Sequence, residues 1–205
     1  MSKIIANQIQ HTANGAAAFT LPSSDGTSGQ FLKTNASGTL SFGSGGKILQ
    51  VVETLNTNYA SADTSANTYN GNLSVNVNIT PSSTSSKIYL VYNIVMSAEV
   101  NSRELTLIPT KTISGSTSVL SRIGDTAGSR TRVGVSQMST SNSSACTHMM
   151  TFLDSPSTTS QITYGFYYTI QHGGAWVIRN SSFTDTNNAN FSRYASTVTA
   201  MEVGA

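Results

Sequence analysis

Apolar and polar residues alternate along much of this chain with the period of two that predicts β-strands. Residues 73–79 place Leu, Val, Val and Ile at every second position, so one face of this strand is buried and the other is in water. Residues 87–96 form a longer apolar run, which is typical of a central strand covered on both faces. Turn-forming residues separate about ten such runs, at residues 47–55, 73–79, 87–96, 105–108, 118–123, 130–138, 146–153, 161–170, 175–178 and 194–203.

Many short strands at close intervals predict an all-β fold, an antiparallel jelly-roll β-sandwich over residues 47–205. β-Branched residues are abundant and helix-forming runs are scarce, so no helix longer than one or two turns is expected. The sequence has neither heptads nor a repeat of about 20–50 residues. This pattern excludes solenoid and coiled-coil architectures.

Residues 1–46 have a different character and predict an extended N-terminal β arm, which ends in a Gly/Ser junction at residues 43–46. Ordering the backbone costs about 1–2 kcal/mol per residue, and the few apolar anchors of the arm cannot offset this cost alone. We therefore expect copies of the chain or a partner to hold the arm. The expected anchors are Ile4, Ile5, Ile9, Phe19, Leu21, Phe31, Leu32, Leu40 and Phe42.

Within the arm, residues 29–43 predict a small β-hairpin. A turn cluster at residues 34–38 separates the apolar pairs Phe31–Leu32 and Leu40–Phe42, so the loop has several residues. The stretch, read GQFLKTNASGTLSFG, resembles a hairpin found near the N-termini of many tailed-bacteriophage fibre and virion-surface proteins. The resemblance implies that the chain is a structural part of a virus particle.

A second resemblance lies at the other end of the chain. Residues 154–160, 176–179 and 193–203 are similar to the closing strands of phage-type C1q/TNF-like jelly rolls. In that family the last strand, matched here by residues 197–202, runs through the middle of a sheet, and the domain forms trimers around a three-fold axis. The resemblance covers roughly residues 47–205 and implies a homotrimer with a C-terminal jelly-roll knob.

Composition supports a particle-surface role. Ser, Thr and Asn total 78 residues, whereas charged residues make up 10% of the chain, against about 25% in ordinary globular proteins. Such polar but nearly uncharged surfaces suit extracellular proteins that pack against copies of themselves. The net charge of +2 is too small to predict a nucleic-acid partner. Arg122, Arg130 and Arg132 are better interpreted as a solvated loop than as a phosphate site.

The cysteine content and the lack of targeting signals limit where the protein is expected to be located. The single Cys146 excludes an intrachain disulfide framework and lies in an apolar strand, which predicts a buried inert thiol. No apolar run approaches the roughly 18 residues of a membrane span, and the N-terminus lacks the long apolar region of a signal peptide. We expect a protein made in the host bacterial cytoplasm and carried on the virion surface, with no membrane partner.

The sequence predicts no catalytic or metal site. Asp154, Asp185 and Glu202 show no spacing typical of a hydrolytic pair. Cys146 and His148 share a strand face, but a zinc site needs four ligands and no further cysteine exists. We expect no enzyme activity, no cofactor and no metal. The alternative kept open is an ion bound by His148 or His172 across a three-fold axis.

Aromatic residues near the C-terminus have two interpretations. Tyr164, Phe166 and Tyr168 share one strand face, and Trp176 follows on the next strand. They are expected to form core and a trimer interface; the alternative is an exposed platform that binds glycan.

Together these features predict a non-enzymatic, homotrimeric structural protein of a phage virion. As a capsid decoration (cement) protein it would bind the major capsid protein and stabilise the capsid surface. As a tail fibre or fibre tip it would bind a tail or adaptor protein, and its knob would bind host surface polysaccharide.

Overall fold

The computed structural model describes residues 7–9, 18–27, 30–44, 48–64, 69–71, 73, 75–141, 144–171, 175–182 and 187–204, with the backbone alone at 44, 64, 175 and 176. The chain divides into an N-terminal unit, Met1–Lys47, and a C-terminal unit, Ile48–Ala205. The strands in the described residues are β1 (Gln8–Ile9), β2 (Phe19–Thr20), β3 (Gln30–Thr34), β4 (Leu40–Ser44), β5 (Ile48–Asn56), β6 (Ala60–Thr64), β7 (Val77–Ile79), β8 (Lys87–Ala98), β9 (Arg103–Ile113), β10 (Ser116–Val119), β11 (Val135–Ser139), β12 (Ala145–Asp154), β13 (Ile162–Gln171), β14 (Ala175–Arg179) and β15 (Ser196–Val203). Across these described ranges there is no helix of the length and apolarity that a membrane span requires.

The N-terminal unit contains the predicted hairpin. β3 pairs with β4 antiparallel, with Thr34 opposite Leu40. The side chain of Asn35 accepts hydrogen bonds from the backbone N–H groups of Ser37 (2.9 Å) and Thr39 (3.1 Å), which shapes the loop. Gly38 takes the left-handed backbone conformation that closes it, at a φ of +82°. β1 pairs with β2 in a second antiparallel ladder. The described part of the arm therefore consists of two short ladders and not of one extended strand.

The C-terminal unit is a sandwich of two antiparallel sheets. The first sheet has the order β5-β15-β8-β12, because β15 and β12 pair with opposite edges of β8. β14 pairs with β8 beyond the end of β15, and β6 pairs with β14. The second sheet has the order β7-β13-β9, with β11 and β10 along the far edge of β9.

Strand connections between the sheets define the fold. β5, β8, β12 and β15 lie in the first sheet, and β7, β9, β11 and β13 lie in the second. Apart from the connection that includes β9, β10 and β11, the chain changes sheet from one of these strands to the next, which is the arrangement of a jelly roll. The all-β jelly-roll prediction is confirmed. β15 lies between β5 and β8, in the middle of its sheet, as the resemblance implied.

The hydrophobic core lies between the two sheets. Ile88, Leu90 and Tyr92 point inward from β8 at every second position and are fully buried. Tyr92 stacks on Phe152 of β12 with the ring centroids 5.9 Å apart. Pro109 is accommodated in the middle of β9 because β11 pairs with β9 only from Arg103 to Leu107 and β10 pairs only from Thr110 to Ile113, so no ladder bond needs its missing N–H.

A buried carboxylate ties one end of the sandwich together. Glu202 of β15 accepts hydrogen bonds from the side-chain amide of Gln50 on β5 (2.6 Å) and from the backbone N–H (2.7 Å) and hydroxyl (2.6 Å) of Ser82. Burial raises the pKa of Glu202, but these hydrogen bonds, led by those of Ser82, outweigh burial and lower the pKa to about 2. The carboxylate is therefore charged and fully engaged at neutral pH.

Several strand boundaries differ from the predicted runs. The alternation at residues 73–79 yields a strand only at Val77–Ile79, because Leu73 has a φ of +46° and leaves the extended region. The runs at 118–123 and 130–138 shorten and shift to β10 and β11. β6, which contains alanine, serine and aspartate but no large apolar residue, was not predicted.

Candidate assembly surfaces

The N-terminal hairpin leaves apolar side chains uncovered on both of its faces. Phe31 and Leu32 are neighbours on β3 and so point to opposite faces, yet they are 65% and 49% exposed. Phe31 has Gly43 as its cross-strand partner, which offers no side chain to cover the ring. The hairpin as described cannot bury both residues.

The other expected anchors divide into two groups. Ile9 and Phe19 are a cross-strand pair of β1 and β2, and both are exposed. Leu21, Leu40 and Phe42 are half-buried; the ring of Phe42 packs against the backbone of Gly26. Ile4 and Ile5 lie outside the described residues. The described arm therefore exposes apolar groups, while its role in assembly stays a prediction.

The outer face of the first sheet is a second apolar surface, and it extends across four strands. We call it the apolar face. One row of cross-strand neighbours runs Val51, Met201, Tyr89 and Leu153. The face consists of Val51, Leu55, Tyr89, Val91, Met149, Leu153, Met201 and Val203.

Exposure on the apolar face is high for side chains of this type. Val51, Leu55 and Met149 are 58%, 61% and 64% exposed, and Tyr89 is 37% exposed. These four side chains expose about 100 Å² of apolar surface each, and the four half-buried members of the face expose less. The whole face therefore exposes about 500 Å² of apolar surface, which equals the largest patches of typical monomers. Patches of this size are often functional.

Asn93 lies within this face, and its side-chain oxygen lacks a hydrogen-bond donor among the described residues. Its cross-strand neighbours are Thr197 on β15 and Met149 on β12. The side-chain oxygen of Asn93 is buried and has no hydrogen-bond partner in the described structure. A buried acceptor without a partner costs about 1–3 kcal/mol.

The aromatic residues expected at a trimer interface or glycan platform are placed differently. Tyr164 and Phe166 are fully buried and Tyr168 is 3% exposed, because all three point from β13 into the core. They can neither stack on a sugar nor meet a second copy of the chain, so the expectation that they form core holds, and the expectation of a trimer interface or glycan platform is corrected. The backbone of Trp176 lies in β14 opposite Asp63; its side chain lies outside the described residues.

The expected carboxylates are engaged in structural contacts. Asp154 forms an ion pair with Lys111 (3.0 Å) and accepts a hydrogen bond from the hydroxyl of Tyr164 (2.8 Å). Burial, together with the charge of Asp154 and this bond, raises the pKa of Tyr164 far above its ordinary value. Glu202 is held by Gln50 and Ser82 as described above. Asp185 lies outside the described residues.

His148 is a core residue. Its Nε2 donates to the backbone oxygen of Leu105 on β9 at 3.0 Å, whereas Nδ1 is buried without a partner. Burial lowers the pKa of His148, although hydrogen bonds with backbone groups oppose the shift. Cys146 on the same strand is only half-buried, which differs from the buried thiol expected, and burial raises its pKa. Within the described ranges no three His, Cys, Asp or Glu side chains converge as metal ligands; His11 and His172 lie outside those ranges.

The arginine loop forms local contacts. Arg132 Nε donates to the backbone oxygen of Gly124 at 2.6 Å, within the same loop. Arg122 Nη2 reaches the backbone oxygen of Leu153 at 3.4 Å. These bonds support the interpretation of a structured, solvated loop.

Comparisons with known proteins give similarity at the level of structure only. No protein-family model and no curated protein matches the sequence. The structure of infectious bursal disease virus Gx strain is 10% identical, with a TM-score of 0.39 over 81% of this chain and 39% of that chain. The crystal structure of the infectious bursal disease virus VP2 subviral particle is 10% identical, with a TM-score of 0.36 over 80% of this chain and 43% of that chain. The chain spans about two fifths of the length of these structures.

Proposed function

We propose that this chain is a non-enzymatic structural protein of a phage virion, which assembles as a homotrimer and decorates and stabilises the capsid surface. One observation carries the proposal. β8 has apolar residues on both of its faces; a single chain covers the inner face and, on the outer face, Val95, but it leaves Tyr89 37% exposed and Val91 half-buried. A strand with this composition is typical of burial on both sides, and another copy of the chain supplies the missing cover.

The free energy gained by burying the apolar face is similar to the free-energy cost of association, so assembly needs further contacts. Burial of about 500 Å² at 25 cal/mol per Å² gives about 12 kcal/mol per copy. Association costs about 4–15 kcal/mol in lost freedom of motion. The apolar face alone therefore comes close to balance, and the exposed apolar residues of the N-terminal unit, led by Phe31 and Leu32, provide the surplus.

The weak charge of the chain supports self-association. Glu53 and Lys87 are the charged residues in the described rows of the apolar face. Copies can approach each other on this surface with little repulsion between like charges. The described carboxylates expected from the sequence are occupied by hydrogen bonds or an ion pair, which supports a role without catalysis.

A tail fibre or fibre tip is the second candidate, favoured by the hairpin of β3 and β4, which resembles those of phage fibre proteins. The two placements differ in copy number and in phenotype. Hundreds of chains in each purified virion are expected for the capsid, and a few dozen or fewer for the tail. Removal of a decoration protein leaves adsorption intact and makes heads fragile, whereas removal of a fibre abolishes adsorption.

Analytical ultracentrifugation of the full chain tests the assembly. We expect a mass near three chains, and Val51→Asp is expected to shift it towards one chain because a charge enters the apolar face. Val100→Asp is the matched control: Val100 is also exposed, at 39%, but lies in the turn between β8 and β9. A wild-type mass of one chain, or equal dissociation by both variants, would contradict the proposal.

A further inference from the structure

We propose that the outer face of the second sheet carries a binding site for a neutral sugar. The site goes beyond the assembly role, because it lies on the other sheet from the apolar face and does not depend on it. It is a cavity of about 180 Å³, lined by Gly71, Asn76, Thr110, Thr112, Thr117, Thr163, Gly165, Phe166 and Tyr167. This volume corresponds to about six water molecules, which is close to the size of one pyranose ring.

The floor of the cavity is a position without a side chain. Thr163, Gly165 and Tyr167 occupy alternate positions of β13 and point away from the core, while Tyr164, Phe166 and Tyr168 point into it. The glycine leaves a hollow between its larger neighbours. Its backbone oxygen accepts a hydrogen bond from the buried hydroxyl of Tyr92 at 3.1 Å, which fixes the floor from below.

Hydroxyl groups surround this hollow. Thr112 and Thr117 are cross-strand partners with their hydroxyl oxygens 2.7 Å apart. Thr163 donates to the side-chain oxygen of Asn78 at 2.7 Å. Each hydroxyl has one donor and two acceptor positions, so these pairs keep acceptor capacity for the hydroxyl groups of a ligand while their own geometry is already fixed.

The aromatic ring of the lining belongs to Tyr167, which is supported by Tyr69, a residue outside the lining. Tyr167 stacks on Tyr69 with the ring centroids 6.1 Å apart and the ring planes at 22°. Tyr69 is held in place because its hydroxyl donates to the backbone oxygen of Arg132 at 3.2 Å, and the next residue, Asn70, exchanges two backbone hydrogen bonds with Tyr168 (2.9 and 3.2 Å). Tyr69 nevertheless keeps 43% of its surface exposed.

This combination selects the class of ligand. A sugar ring presents hydroxyl groups at its rim and C–H groups on its faces, which match a hydroxyl-lined hollow beside an aromatic ring. Among the lining residues that the structure describes, none is charged, which disfavours phosphates and acidic sugars. The cavity lies on the face of the sheet, where an extended peptide finds no unpaired backbone edge to join. We therefore commit to a neutral hexose unit, free or at the end of a polysaccharide.

Saturation-transfer NMR on the full-length protein tests the site, with methyl α-glucoside, methyl α-galactoside and N-acetylglucosamine as separate probes. At concentrations up to about 10 mM the method detects a Kd near 1 mM. We expect transfer to the C–H protons of at least one probe. Tyr69→Ala is expected to weaken binding by about tenfold, because it removes the ring that stacks on Tyr167 and holds it in place, and Thr163→Val by about fivefold, through loss of a hydroxyl.

Tyr89→Ala is the matched control, since Tyr89 has similar exposure, 37%, but belongs to the apolar face of the other sheet. It is expected to leave transfer unchanged even where it alters the sedimentation mass. Thermal unfolding confirms that each variant is folded before it is compared. Absence of transfer to all three probes, unchanged binding in both Tyr69→Ala and Thr163→Val, or equal loss in Tyr89→Ala would overturn the proposal without affecting the assembly proposal.

Discussion

Glu202→Gln is expected to destabilise the sandwich more than any substitution of an exposed carboxylate. The carboxylate accepts three hydrogen bonds of 2.6–2.7 Å, from Gln50 and Ser82. A glutamine keeps one oxygen and adds an NH₂ group that faces a donor, so at least one bond is lost and one buried donor stays unpaired. Hydrogen bonds to charged groups contribute about 1.5–3 kcal/mol, and an unpaired buried group costs about 1–3 kcal/mol. We expect a loss of about 3 kcal/mol at pH 7.

The effect of Glu202→Gln on the free energy of unfolding should also depend on pH. The pKa of Glu202 is lowered from 4.5 to about 2 in the folded protein. The stabilisation is therefore complete above pH 4.5 and is lost as the pH falls towards 2, because the unfolded chain takes up the proton first. The difference between wild type and Glu202→Gln should shrink over this window, since protonation also removes the charge from the wild type.

Urea unfolding at fixed protein concentration, at pH 7 and at pH 3, measures both effects. Glu53→Gln is the matched control: Glu53 lies on β5 of the same sheet, is exposed, and accepts one hydrogen bond from Thr199 at 3.0 Å. We expect it to cost about 0.5 kcal/mol or less. A Glu202→Gln effect as small as that of the control, or one that does not change between the two pH values, would contradict the structural role given to the Glu202 carboxylate.

Two further predictions concern the core. Because burial lowers the pKa of His148 below 6.5, stability present above pH 6.5 should fall as the pH drops below 6.5, and His148→Gln should flatten this part of the Tm profile. Gly134→Ala should cost about 1–3 kcal/mol in urea unfolding, because a Cβ there would lie 3.0 Å from the ring of Pro109 and 3.1 Å from the backbone oxygen of Leu107. Gly124→Ala, with open space around it, should be neutral; equal effects of the two alanines would contradict the prediction.

Local signals predicted the elements in which periodicity and turn chemistry agree. The hairpin of β3 and β4 follows from Asn35 and Gly38 between two apolar pairs, and the structure uses both residues in the loop. β8, β12, β13 and β15 are long apolar runs between turn residues, and each forms a strand. For these segments local preference and tertiary packing point the same way.

The sequence could not locate the surfaces. Tyr164 and Phe166 are aromatic residues in a chain that was expected to assemble, which suggested an interface, but the direction of β13 relative to the core decides their burial. Tyr69 and Tyr167 are about a hundred positions apart in sequence and meet only through the pairing of Asn70 with Tyr168. The aromatic pair and the hollow above Gly165 are formed by residues from different segments of the chain, so the sequence of a single strand does not predict them.

β8 has more apolar residues than one copy of the chain buries. Its apolar run predicted cover on both faces, and the sandwich supplies that cover on the inner face, where Ile88, Leu90 and Tyr92 are fully buried. The outer face keeps Tyr89 exposed, together with Val51 and Met149 on neighbouring strands of the same sheet. A monomer would have no need of apolar residues at these outer positions, since polar residues there form equally good strands with one wet face. The excess of apolar residues over what one chain can bury is therefore the argument for a neighbouring copy, and it is independent of any resemblance.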